Sequence, residues 1–119
     1  TTGALTVGGG VGILGDLNVG GDITAFATSD GNLKKDIAVI EDPLAKVLNL
    51  EGVTYTWNEK STKEGERDTG VIAQDVDKLG LPGITTTRDD GTMAVNYDKL
   101  VPILIGAIKE LSAKVDALS

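Results

Sequence analysis

Val101-Pro102-Ile103-Leu104-Ile105-Gly106-Ala107-Ile108-Lys109-Glu110-Leu111-Ser112-Ala113-Lys114-Val115-Asp116-Ala117-Leu118 sets Val101, Leu104, Ile108, Leu111, Val115 and Leu118 at intervals of 3, 4, 3, 4 and 3 residues. That alternation is the a/d pattern of a heptad seam, and it predicts a coiled-coil helix over about residues 99–118. A helix docked on its own domain carries a similar stripe, so the spacing alone leaves both arrangements open. The rest of the chain decides between them.

The chain has 119 residues, room for one compact unit and some extended structure. Aromatic residues make up 3%, with Phe26, Tyr55, Trp57 and Tyr97 the large rings, so a lone chain buries a thin aliphatic core. Oligomerisation is the remedy, and the N-terminal residues point the same way. Residues 1–28 are rich in Gly and carry no Lys, Arg or Glu. Within them Leu5-Thr6-Val7-Gly8-Gly9 returns twelve residues later as Leu17-Asn18-Val19-Gly20-Gly21, with apolar residues alternating at the period of a strand. Such short strands bury nothing alone. Three chains wound together place Leu5, Val7, Val11, Ile13, Leu17, Val19 and Ile23 on a shared axis, whereas a flexible linker has no need of spaced Leu and Val. A triple-stranded β-stalk is therefore expected, and it favours the seam reading of the C-terminal helix. The pattern is already running at Thr1, so the chain reads as the C-terminal piece of a longer one whose upstream part is the client.

Between stalk and seam lies mixed α/β text. Asp42-Pro43 predicts a capped helix over residues 43–50, with Leu44, Val47, Leu48 and Leu50 toward the core and Gly52 as its stop. Val53-Thr54-Tyr55-Thr56-Trp57 alternates as a strand, and the charged run from Asn58 to Asp68 reads as an exposed loop or the tip of a long hairpin. Gly70 to Leu79 suits a short helix closed by Gly80 and Pro82. Ile84 to Thr87 and Thr92 to Tyr97 are expected to pair across the turn Asp89-Asp90-Gly91. The fold class expected is α+β: a homotrimer with an N-terminal intertwined β-stalk, a small mixed α/β body and a C-terminal coiled-coil helix.

Composition removes several function classes. The formal charge is −7, from 18 acidic and 11 basic residues, which argues against nucleic acid, whose phosphates call for clustered Lys and Arg. There is no cysteine and no histidine, hence no disulfide, thiolate, imidazole base or Cys/His zinc site, and no metal or cofactor is expected. No apolar run approaches the roughly 18 residues of a membrane span, so no membrane partner is expected. Asp75/Asp77 and Asp89/Asp90 are candidate carboxylate pairs for a carbohydrate-active enzyme, but they read better as a solvated helix face and a turn.

The sharpest local feature is Thr28-Ser29-Asp30-Gly31-Asn32-Leu33-Lys34-Lys35-Asp36-Ile37, where the glycine-rich repeat stops and the mixed text begins. A nucleophile at that boundary would cut one part from the other. Serine needs a base, and without histidine the available design is a lysine whose amine is kept neutral by desolvation, with Lys34 and Lys35 both candidates. The bland alternative is a loop serine beside solvated lysines.

Ser29-Asp30 followed by Leu33-Lys34-Lys35-Asp36-Ile37 resembles the opening Ser-Asp-x-x-Leu-Lys signature of the endosialidase-type intramolecular chaperone family, found at the C-termini of phage tailspikes and tail fibres and in myelin regulatory factor. Leu48 to Trp57 is similar to that family's helix and strand ending in Tyr-x-Trp, and Gly70-Val71-Ile72-Ala73-Gln74-Asp75-Val76 to its Gly-x-Ile-Ala-Gln-Glu-Val segment, with Asp75 in place of Glu. Val95 to Pro102 and Ala107 to Leu111 match its closing strand and helix.

The resemblance implies that residues 1–28 end the trimeric β-stalk of a client fibre and that residues 29–119 are an intramolecular chaperone. That domain trimerises, aligns the upstream fibre or tailspike, and releases itself by single-turnover autoproteolysis. It further implies Ser29 as nucleophile, Lys34 as general base with Lys35 an improbable substitute, and Thr28-Ser29 as the cleavage site. The partners implied are two further copies and the upstream segment. The place implied is the host cytoplasm during phage assembly, with the client fibre ending on the virion tail. A rival expectation is a structural trimerisation tip that never cuts and binds a host receptor.

Overall fold

The computed structural model describes residues 3–119, in two units that divide between Ile37 and Ala38. In the first unit no strand or α-helix forms over residues 3–28, and Leu5, Val7, Val11, Ile13, Leu17, Val19 and Ile23 are all exposed. The alternating segments have no strand partner among the described residues. A Gly31–Leu33 3₁₀ turn is the unit's one regular element among the described residues.

The second unit holds α1 (Pro43–Leu48), β1 (Val53–Thr56), β2 (Arg67–Gly70), α2 (Ala73–Asp77), β3 (Thr85–Thr87), β4 (Met93–Val95) and α3 (Leu100–Asp116), with a 3₁₀ turn at Tyr97–Lys99 leading into α3. Two antiparallel hairpins make up the sheet content. β1 and β2 pair from Val53↔Gly70 to Thr56↔Arg67, and β3 and β4 from Thr85↔Val95 to Thr87↔Met93. The charged 58–66 segment is the tip of the first hairpin, and its register is held by polar rather than apolar contacts. Arg67 forks onto Thr56 Oγ1 at 3.1 Å and Thr54 Oγ1 at 3.2 Å. The Trp57 indole N–H donates to Asp68 Oδ2 at 3.2 Å, and the Trp57 ring meets the Tyr55 ring edge-on at 5.1 Å.

The core is small: Val76 of α2, Ile84 before β3, and Ile103 and Ala107 of α3 are buried. Ile40, Val47, Leu50, Val71, Leu79, Leu81, Val95 and Leu100 pack half-buried around it. α1 lies on α3 at unusually close range, because Gly106 leaves room for Pro43; a Cβ at Gly106 would sit 2.8 Å from Pro43 Cβ and 3.0 Å from its Cγ. Pro102 is tolerated in α3 because it lies in the first turn, where a backbone N–H has no intrahelical acceptor.

The seam residues are not the docked face of α3. Val101, Leu104, Ile108, Leu111, Val115 and Leu118 are 46–88% exposed, while Ile103 and Ala107 are buried. At 100° per residue these stripes lie on different sides of one helix, so α3 carries two apolar faces and the second unit covers one of them.

Four expectations need correction. Asp42 does not cap α1: it takes left-handed backbone (φ 47°, ψ 51°) and its side chain makes no cap bond, the N–H of Leu44 being met instead by Glu110 Oε1 of α3 at 3.5 Å. Leu48 is 74% exposed rather than core-facing, because α1 ends there. The helix expected from Gly70 begins only at Ala73, since Gly70 is a strand residue paired with Val53 and Ile72 is extended. The tyrosines explain the glycine, for a Cβ at Gly70 would run into the hydroxyls of Tyr97 and Tyr55. Lastly, Arg67 and Asp68 belong to β2, not to the loop.

Gly106→Ala is expected to lower stability by about 1–2 kcal/mol, the overpacking against Pro43 outweighing the better helix propensity of alanine. Thermal melts would register this as a lower Tm. The β3–β4 turn supplies a pH-dependent counterpart. Asp90 Oδ1 accepts the Thr92 hydroxyl at 2.7 Å and the Thr92 N–H at 2.9 Å, and these bonds, the hydroxyl foremost, hold the Asp90 carboxyl below the usual carboxylate range. A depressed folded value stabilises the fold above the unfolded value and loses that effect as pH falls through the folded one. Asp90→Ala should therefore melt earlier than wild type at neutral pH, with the gap closing in strong acid.

Candidate functional site

The boundary segment folds locally. Asp30 sits in extended backbone (φ −67°, ψ 124°), and its Oδ1 accepts the Asn32 N–H at 2.9 Å. Its carbonyl accepts the Leu33 N–H at 3.0 Å, and the Gly31 carbonyl accepts the Lys34 N–H at 3.2 Å. Asp-Gly-Asn is turn chemistry, and here it winds the Gly31–Leu33 turn that folds the chain back on itself.

The product of that turn is a contact between the two residues singled out by their chemistry. Lys34 Nζ lies 2.6 Å from Ser29 Oγ, five residues away. With the amine protonated, Nζ donates to the hydroxyl. With the amine neutral, the same separation lets the hydroxyl donate to Nζ, within the 2.6–3.2 Å range a general base requires. No side-chain hydrogen bond joins Lys35 to Ser29 among the described residues. Thr28, whose carbonyl is the neighbouring electrophile, is exposed, as are Ser29 and Lys34.

The carboxylate pairs fall elsewhere. Asp77 Oδ1 accepts the Thr85 hydroxyl at 2.8 Å and ties α2 to β3, and Asp90 is committed to its turn. Asp75 lies in the first turn of α2, where negative charge suits the helix N-terminus. These placements give the acids structural work and gather no acid/base pair around a cleft.

The sequence reading used Asp30 only as part of a signature and missed its bonds to the turn. The signal was present in Asp30-Gly31-Asn32, a short acceptor side chain followed by a glycine and an amide to receive. Glu110 was missed as well, because its link to Leu44 N joins residues 66 apart.

Residues 29–84 match the family model described as chaperone of endosialidase. Over 118 residues, 93% of the chain, it is 31% identical to the long tail fiber protein Gp37 of Salmonella phage S16. Over 97 residues, 78% of the chain, it is 32% identical to the Gp37 long tail fiber proteins of Enterobacteria phages K3 and T2. The chain spans 15% of the S16 protein, 8% of the K3 protein and 7% of the T2 protein. The match to the chaperone of endosialidase family begins at Ser29, the residue that the turn brings against Lys34, and runs to Ile84.

Proposed function

We propose that residues 29–119 are the intramolecular chaperone of a phage tail fibre, that they assemble as a homotrimer on the α3 seam, and that they cut themselves free at Thr28-Ser29. The observation that carries the chemistry is the 2.6 Å approach of Lys34 Nζ to Ser29 Oγ at the start of the matched segment. Assembly is supported by the apolar stripe left exposed along α3 and by the exposed Leu, Val and Ile residues of the glycine-rich segment. The likeness to long tail fiber proteins supports an upstream fibre as client.

In the proposed reaction Ser29 Oγ attacks the Thr28 carbonyl carbon while its proton passes to neutral Lys34 Nζ. The C–N bond then breaks, Lys34 returns the proton to the departing Ser29 amine, and Thr28 is left as an ester on Ser29 Oγ. Water adds to that ester carbon, restores the hydroxyl and frees the Thr28 carboxylate. Attack on the adjacent carbonyl gains from high effective molarity, and each chain has to react only once. In a single chain both residues are exposed to water. Closure of the trimer over the turn would strip that water and favour the neutral form, so that cutting follows assembly. The host cytoplasm is where such assembly would occur, and the virion tail where the fibre would stay.

Ser29→Ala removes the attacking oxygen and little volume, so it should leave association intact and abolish release of residues 29–119 on denaturing gels. Lys34→Ala should also block release, while Lys35→Ala should do no more than slow it; the reverse ranking reassigns the base. A mass spectrum of the released fragment should begin at Ser29.

Leu104→Asp with Leu111→Asp tests assembly apart from chemistry. Both positions are on the exposed stripe, so the fold of one chain should survive. Burying unpaired carboxylates in a trimer costs several kcal/mol, and sedimentation should show a monomer. The same chain should not cut, although Ser29 and Lys34 are untouched. A monomer that cuts at the normal rate would break the link between assembly and release.

A further inference from the structure

An extended chain of five residues spans roughly 17 Å, more than the four-carbon stem of a lysine bridges. The contact between Lys34 and Ser29 therefore exists only while Gly31–Leu33 is wound, since a 3₁₀ turn advances by only about 2 Å per residue. None of the residues in that turn is buried, so the core does not hold it. A single isolated turn is an unfavourable nucleus, fixing several dihedrals for few hydrogen bonds. Of the bonds that hold this one, the side-chain bond comes from Asp30, through Oδ1 to the Asn32 N–H.

We infer that Asp30 is a positioning residue for self-cleavage, its side-chain oxygen setting how often Lys34 stands within proton-transfer reach of Ser29. The inference rests on the Ser29–Lys34 reaction proposed above. Asp30 acts through the backbone of the turn and touches none of the reacting atoms. Its function here is that of an acceptor, so its charge is incidental to the rate.

That last point separates Asp30→Ala from Asp30→Asn. In the full-length fibre chain, loss of the acceptor in Asp30→Ala should slow release of residues 29–119 about fivefold, with sedimentation unchanged. Asp30→Asn keeps an oxygen in the same place and should restore the rate to within about twofold, with the midpoint of its pH–rate profile where wild type has it. Gly31→Ala pushes the other way. Gly31 does not use left-handed backbone and has open space around it, so alanine should wind the turn more often and speed release about twofold.

The inference is overturned if Asp30→Ala releases at the wild-type rate or no longer assembles, if Asp30→Asn is as slow as Asp30→Ala, or if its profile midpoint moves. Ser29→Ala run alongside separates the two levels. Release by that variant, or none by wild type, sinks the Ser29–Lys34 reaction itself, whereas a silent Ser29→Ala with an unaffected Asp30→Ala sinks only the role of Asp30.

Discussion

The contact between Gly106 and Pro43 fixes how α3 is turned about its own axis. A helix with apolar residues on two sides has to choose which to give to its own domain, and a missing side chain at Gly106 lets α1 settle on the Ile103/Ala107 side. That choice leaves Val101, Leu104, Ile108, Leu111 and Val115 facing outward as a continuous stripe. Glu110 reinforces the same orientation, one oxygen toward the Leu44 N–H and the other 3.5 Å from Lys114 Nζ. A glycine in mid-helix costs about 1 kcal/mol relative to alanine, a cost offset here by close packing of the two helices.

Against that tertiary constraint, the chemistry proposed at Ser29 is local. Its partner lies within one turn of chain, and the turn is made from residues that are exposed and next to each other in sequence. Such a site needs no groove built from distant elements. What it lacks in a single chain is shelter from water, which the other chains of the proposed trimer would provide. Local geometry with borrowed surroundings suits the proposed reaction, which each chain would undergo once, after the proposed assembly.

The sequence made the heptad stripe of α3 legible, because periodicity is independent of what covers a face. It did not tell which face the chain covers for itself, since that depends on Gly106 meeting a proline 63 residues earlier. β1 was legible through alternation, whereas β2 was not, because Arg67–Gly70 contains no apolar residue and is held by the Arg67 fork to Thr54 and Thr56. Asp42 followed the rule for a capping residue and broke it in fact, its backbone being left-handed and its side chain making no cap bond to the helix it precedes. Ser29 and Lys34 were legible as residue types at a boundary. Their approach was not, because five residues of spacing says nothing until Asp30 closes the turn.

Trp57 is the chain's one tryptophan, and the glycine-rich segment, the Ser29 turn and α3 contain none. Its indole is bonded to Asp68, edged by Tyr55 and overlain by the Lys63 ammonium at 5.4 Å from the ring centre, so its surroundings are set by the first hairpin. The tryptophan fluorescence of the chain is therefore a single-site optical signal. Its wavelength and intensity follow the opening and closing of that hairpin, and the polarity of the water around one ring, without dilution from any other indole.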